Sequence, residues 1–357
     1  MRDFKLSPKF TKEGQGKATK AIPRLVFESA ILVAPSEVPM ASSAFRVETV
    51  HLSQFREGSP AERAEFIRVL GDSFRNTGFL KVAGHRVQQS DVDSTYQAAK
   101  TFFALPEEIK RHYQVPGQGG ARGFTSFGSE HAKDNPVGDL KEFWHVGQEL
   151  PRDHPLKPIY GDNLWPETEV PGFRAHTLAL YRALEDCADT LLEALALYLE
   201  LPSRSLADMI RDGNSILRII HYPALRAKYI QGGVRSSAHE DINLITLLPA
   251  ATDSGLQLLD RDHHWHAVDG LAGEIVADAG DMLSRHLNLK IPSTTHRVIN
   301  PDNPDAERYS LPFFCHPRPE VLLDCPQSLL SPGEAKRFEP ITAHAFLLQR
   351  LREIGLI

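Results

Sequence analysis

The chain has 357 residues, 41% of them hydrophobic, which is enough to bury one large core or two smaller ones, and it contains no repeat or sustained heptad. Its 40 basic and 46 acidic residues leave a net charge of −6, which argues against nucleic acid as a partner and leaves a small-molecule substrate open. The cysteines Cys187, Cys315 and Cys325 lie far apart with no C-x-x-C pair, and no apolar run is long enough to span a bilayer, so a reduced, cytoplasmic protein without a membrane partner is expected.

Residues 1–42 carry more Lys and Arg than acids and end near Met40, an alternative start; they are expected to form a peripheral N-terminal extension. The next part, 43–170, reads as mainly helical. Ser59-Pro60-Ala61-Glu62 supplies a capping Ser, a Pro at the first helical position and an early acid, and apolar spacing through Phe66, Val69, Leu70 and Phe74 carries the helix to Gly78. A second helix is expected over 90–104. The Gly- and Ser-rich stretch 117–136 reads as a loop, and Arg122, Phe124 and Phe127 give it the means to line a pocket. Lys141-Glu142-Phe143-Trp144-His145 fits a substrate-facing strand and an ordinary half-exposed strand equally well.

The part 171–357 opens with a long leucine-rich helix over 171–200, expected to be a buried support. After Asn214 the pattern changes to short β-like runs at 216–222, 243–248, 255–259, 265–268, 274–277, 282–289, 294–299 and 309–314, followed by an amphipathic helix over 341–356. Many short strands separated by turns predict an antiparallel jelly roll, a double-stranded β-helix within an α+β fold. His263, His264 and His266 read as a turn beside a strand rather than a metal tract.

The chemistry concentrates in His239-Glu240-Asp241, a lone His296 and Arg308-Tyr309-Ser310. Two His and one carboxylate are the donors that hold non-haem Fe(II) on one face and leave positions open for O2 and an organic co-reactant. On a strand, alternate side chains share a face, so His239 and Asp241 can grip one ion while Glu240 points away, with His296 arriving from another strand. The same alternation puts Arg308 and Ser310 side by side as a clamp for a carboxylate. Asn243 falls on the ligand face and is expected to hydrogen-bond a ligand. A metal site beside a carboxylate clamp suggests an oxygenase fed by a keto acid.

These residues, with 55 positions between Asp241 and His296 and 12 from His296 to Arg308, resemble the isopenicillin N synthase-like branch of the Fe(II)/2-oxoglutarate dioxygenases. The likeness extends through Ser73 to His85, Phe102-Phe103-Ala104-Leu105-Pro106 with Lys110, Arg122-Gly123-Phe124 and His221-Tyr222-Pro223, and so covers about residues 45 to 350. The resemblance implies Fe(II) held by His239, Asp241 and His296. It implies 2-oxoglutarate as co-substrate on Arg308, Ser310 and the Tyr222 hydroxyl, with O2 as oxidant and ascorbate as an accessory reductant. The implied reaction is oxidation of a small organic substrate by hydroxylation, desaturation or ring closure, with release of succinate and CO2. Two alternatives stay open, namely a 2-oxoglutarate-independent oxidase of the isopenicillin N synthase type and a non-catalytic jelly-roll binding module. The oligomeric state is not readable.

Overall fold

The helix expected from Ser59 forms as Pro60–Thr77. Ser59 Oγ accepts from the Glu62 backbone N–H while the Glu62 carboxylate accepts from the Ser59 N–H, and Gly78, at φ 71°, ends the helix in a conformation that strains any other residue. The computed structural model describes residues 45–115, 121–130, 137–268, 270 and 272–353, so the 1–42 extension and parts of the 117–136 loop lie outside the described residues. The helices Gln89–Phe103 and Phe173–Tyr198 form close to their expected ranges, and Ala343–Glu353 forms within the last one.

These helices cover one face of a nine-stranded sheet. Its order is Thr49–His51, Phe79–Ala83, Ile275–Ala279, Ile245–Pro249, Phe313–Cys315, Ile216–Tyr222, Glu142–Gly147 and Gly123–Thr125, with Arg308–Ser310 also pairing with Ile216–Tyr222. Opposite stands a four-stranded sheet of Ser236–His239, His296–Val298, Leu256–Leu259 and Trp265–Ala267. The period of two along each strand sorts the apolar residues between two cores. Leu80, Val82, Leu247, Ile219 and Phe313 pack outward against helix residues such as Phe74, Phe102 and Leu191. Phe79, Phe143, Ile220, Tyr222 and Val276 face inward and meet Leu256, Leu258 and Val298 of the small sheet. The result is the expected double-stranded β-helix with its supporting helices.

Four elements differ from expectation. Residues 282–289 form not a strand but the helix Asp281–His286. Met282 and Leu283 are buried as neighbours, which no strand with one wet face allows, and Leu289, which completed the apparent alternation, sits at φ 67° and 49% exposed. The run 309–314 divides into Arg308–Ser310 and Phe313–Cys315 around Pro312, whose missing N–H cannot continue a ladder. Thr49–His51 and Gly123–Thr125, three residues each, are too short to leave a pattern in the sequence.

The outer face carries a buried charge. Lys110 Nζ donates to Glu142 at 2.6 Å, and the other Glu142 oxygen lies 2.8 Å from His221 Nδ1, tying the short helix Glu107–Arg111 to the sheet. Glu142 and Lys110 are both almost completely inaccessible. Removing one member of such a pair leaves the other charged and desolvated, so Glu142→Ala is expected to cost about 3–5 kcal/mol. Chemical denaturation of both proteins measures this; equal midpoints would mean that Glu107, 3.3 Å from Lys110 Nζ, is partner enough once Glu142 is gone.

Candidate metal centre and co-substrate site

His239 and His296 stand directly opposite one another on the adjacent antiparallel strands Ser236–His239 and His296–Val298, with ring centroids 4.4 Å apart. Nδ1 of His239 donates to the Ser237 carbonyl at 2.7 Å, and Nδ1 of His296 to the Thr294 carbonyl at 3.2 Å. A carbonyl can only accept, so each ring carries a proton on Nδ1, and Nε2 is the atom it turns toward the other donors. Desolvation first, then His296 and Lys141, hold His239 below its ordinary value and keep it neutral, although one edge of the ring remains open.

Asp241 is not on the strand, contrary to the period-two expectation; the strand ends at His239 and Asp241 reaches the rings from the following turn. That turn is drawn toward the helix Asp281–His286, whose Asp281 and Met282 N–H groups donate to the carbonyls of Asp241 at 2.7 Å and Ile242 at 3.1 Å. Gly280 permits the approach, because a Cβ there would lie 2.3 Å from the Asn243 carbonyl oxygen. Asp241 Oδ1 lies 3.7 Å from Nε2 of each histidine, and the three donor atoms all fall within 4.8 Å of one another. These separations are too long for hydrogen bonds and suit three donors arranged about one cation. Two neutral imidazoles and a carboxylate are the donor chemistry of Fe(II). Glu240 turns away, its carboxylate accepting from the Thr295 hydroxyl.

The residue that orients Asp241 is Thr246, not Asn243. Thr246 Oγ1 donates to Asp241 Oδ2, leaving Oδ1 free, while the Asn243 amide donates to Thr246 Oγ1 at 3.1 Å and to the Ile245 carbonyl at 2.8 Å. Asn243 lies in the turn because its strand begins only at Ile245, so the expected period does not reach it. The signal available in the sequence was a lone hydroxyl within Ile245-Thr246-Leu247-Leu248. Opposite Thr246 in the ladder, Asp278 is pushed well up by burial and then by the Asp241 charge.

Arg308, Ser310 and Tyr222 come together. Arg308 pairs with Tyr222 and Ser310 with Ile220 across the ladder, so all face the interior, and all three are almost completely buried. The Arg308 guanidinium carbon stands 5.1 Å from the Tyr222 ring centroid, and its Nε donates to the Asp253 carbonyl at 3.1 Å. Arg308 lines a cavity of about 270 Å³ with Leu248, Asp253, Leu256 and Val276, so apolar walls lead to a cation.

Other residues singled out from the sequence divide cleanly. Phe143 and His145 point inward on a strand that is buried throughout, as does Lys141 just before it, which rules out the half-exposed reading. Lys141 Nζ bonds Glu130 at 2.8 Å and Asp139 at 2.9 Å, while Arg218 donates to His145 Nε2 at 2.6 Å and forks onto both Glu130 oxygens. Arg122 and Phe124 do not line this interior. Arg122 donates to Asn214 and the Ala121 carbonyl, and Phe124 packs on Phe102 in the outer core. His263 and His264 belong to a turn organised by Asp260, and His266, on the adjoining strand Trp265–Ala267, meets the same carboxylate.

Two family descriptions match the chain, the N-terminal part of non-haem dioxygenases in morphine synthesis over residues 47–168 and the 2OG-Fe(II) oxygenase superfamily over 213–317. The chain is 31% identical over 300 residues to the 2-oxoglutarate-Fe(II) type oxidoreductase hxnY of Emericella nidulans, covering 81% of this chain and 85% of that one. Among solved structures it resembles a 2OG-Fe(II) oxygenase family protein from Caulobacter crescentus, with a TM-score of 0.77, 39% identity and 87% and 99% of the two chains covered. It also resembles a full-length Neurospora crassa protein solved in complex with alpha-KG, with a TM-score of 0.75, 26% identity and 85% and 95% covered. The chain therefore belongs to the non-haem Fe(II)- and 2-oxoglutarate-dependent oxygenases. It is an oxidoreductase that oxidises a small organic substrate with O2 while 2-oxoglutarate is converted to succinate and CO2.

Because Thr246 fixes which Asp241 oxygen stays free, Thr246→Val is expected to lower Fe(II) affinity about 10–100-fold with little change in fold. Anaerobic metal titration with circular dichroism as control measures it; unchanged affinity would remove Thr246 from the site.

Proposed function

We propose that His239, Asp241 and His296 hold the catalytic Fe(II) and that Arg308, Ser310 and Tyr222 hold the distal carboxylate of 2-oxoglutarate, in an enzyme of the isopenicillin N synthase-like branch. The observation that carries this reading is the convergence of two Nε2 atoms and Asp241 Oδ1 on the same interior that Arg308, Ser310 and Tyr222 face. Fe(II) bound there supplies the redox chemistry that couples O2 and 2-oxoglutarate decarboxylation to oxidation of a substrate C–H bond. The chain's part is to bind, orient and exclude water. The Ser237 and Thr294 carbonyls hold the histidine rings by Nδ1, Thr246 fixes the Asp241 rotamer, and the Phe79 ring, nearly perpendicular to His296 with centroids 5.8 Å apart, keeps that side dry. Arg308 offers a planar fork to a carboxylate, and Leu248, Leu256 and Val276 offer apolar contact to methylene groups.

The substrate side falls to the inward residues Lys141, Phe143, His145 and Arg218. Residues 43–170 and 171–357 are read as N-terminal and catalytic parts of one enzyme, joined through a shared sheet. Three buried, unpaired cysteines support a reducing, cytoplasmic setting, in which ascorbate serves as accessory reductant. Among the described residues no helix is long and apolar enough to cross a membrane.

Isothermal titration of 2-oxoglutarate into anaerobic, Fe(II)-loaded wild type and Arg308→Lys tests the co-substrate assignment. A lysine cannot reproduce the fork, and one lost charge-assisted hydrogen bond, worth about 1.5–3 kcal/mol, corresponds to roughly tenfold to hundredfold weaker binding, with Fe(II) affinity retained. Equal binding by both proteins would take Arg308 out of the site; no binding to wild type would favour an oxidase of the isopenicillin N synthase type. The extension 1–42 is read as peripheral, since the family match begins at residue 47. Deleting residues 1–39 is accordingly expected to leave the melting temperature and succinate formation nearly unchanged, and a large fall in either would contradict that reading.

A further inference from the structure

Arg235, four residues before His239, was not singled out by its sequence context, yet its side chain is completely buried beside Arg308. Its Nη1 meets Asp253 Oδ2 at 3.1 Å and its Nη2 donates to the Ala306 carbonyl at 2.7 Å. Its guanidinium carbon lies 5.9 Å from the Tyr222 ring centroid, and that of Arg308 lies 5.1 Å from the same ring. Two buried cations thus share one aromatic neighbour. Among the described residues, Asp253 is the only carboxylate that either contacts, and its side chain is 36% exposed. Arg235 Nε and Arg308 Nη1 are both buried without a hydrogen-bond partner. A buried guanidinium with an unused N–H is costly unless an acceptor arrives, and two of them beside one half-neutralising carboxylate leave a surplus positive charge in a low-dielectric site.

We propose that Arg235 is a second cation of the co-substrate site, forming with Arg308 a two-arginine anion site that selects a 2-oxo acid bearing a distal carboxylate. The proposal rests on the assignment of Arg308 to 2-oxoglutarate made above. Asp253 is the moderator of the pair. Its carboxylate takes one N–H of Arg235 and its backbone carbonyl takes Nε of Arg308, so the two guanidinium groups are held in register without being fully neutralised. Serine and tyrosine hydroxyls recognise a carboxylate by geometry alone; the second arginine adds long-range charge, which a keto acid ending in a methyl group cannot use.

The test compares 2-oxoglutarate with 2-oxopentanoate, which has the same chain length but a methyl in place of the distal carboxylate, by titration into anaerobic Fe(II)-loaded protein. For Arg235→Gln, binding of 2-oxoglutarate is expected to weaken about tenfold or more while 2-oxopentanoate changes by less than about twofold, and Arg235→Lys should recover part of the loss because the point charge remains. Asp253→Asn raises the surplus charge and should tighten 2-oxoglutarate several-fold, an effect of opposite sign that misfolding cannot imitate. Parallel weakening of both acids by Arg235→Gln, or no tightening in Asp253→Asn, would mean that Arg235 only packs against Tyr222 and would overturn the proposal. If Arg308→Lys weakens 2-oxoglutarate and Arg235→Gln does not, this inference falls and the Arg308 assignment stands; if wild type fails to discriminate between the two acids, both fall.

Discussion

The candidate metal centre depends on one backbone register, the antiparallel pairing that sets His296 opposite His239. Because side chains alternate along a strand, a slip of one residue would turn one imidazole out of the interior and replace it with a neighbour such as Arg297 or Thr295. A register shift between His296 and Val298 lies immediately beside this pair, so the ladder that sets the two histidines opposite each other is irregular one step further on. The third donor is held differently, by a turn tied to the helix Asp281–His286, and so the site is rigid through two independent backbone anchors. A mobile ligand set would have to lose side-chain freedom on binding the ion; here that ordering is already done by the fold.

One strand shows how stability and chemistry are kept apart. Lys141 and Glu142 are consecutive, and alternation sends them to opposite faces. Glu142 joins Lys110 and His221 on the helix-covered face, where His221 also stacks on Tyr309 with centroids 4.6 Å apart. Lys141 joins Glu130 and Asp139 inside, and its charge reaches His239. Both ion clusters are buried and internally compensated, which lets the sheet carry charges on both sides without leaving one unpaired.

Much of this was legible because the motifs coincide with local rules. The capping box at Ser59, the stop at Gly78 and the leucine spacing of Phe173–Tyr198 are decided within one or two turns of chain, and each formed close to its expected ends. The grouping of His239, Asp241 and His296 and that of Arg308, Ser310 and Tyr222 were each expected from ordered motifs, though the strand logic was applied one step too far at Asp241. What could not be read is set by tertiary context. The helix Asp281–His286 follows from the contact of its N-terminus with the Asp241 turn, and the role of Thr246 follows from a strand boundary two residues later than its apolar pattern indicated. Arg218, a charge inside the apolar run Ile216–Tyr222, and Arg235, next to a turn, were not singled out, because their partners lie far away in sequence.

The interior is consequently graded along its length. At the metal end stand two imidazoles, one carboxylate whose second oxygen is occupied by Thr246, and Asp278, which burial pushes well up from its ordinary value. At the far end two arginines face a single carboxylate and the surplus is positive. A dicarboxylic keto acid lying between an iron ion and that pair would place one negative charge at each pole, with its methylene groups against Leu248, Leu256 and Val276. Electrostatics and shape then select the same molecule in the same direction, and the inward face of Glu142–Gly147, which belongs to neither pole, is left free to differ with the primary substrate without disturbing either.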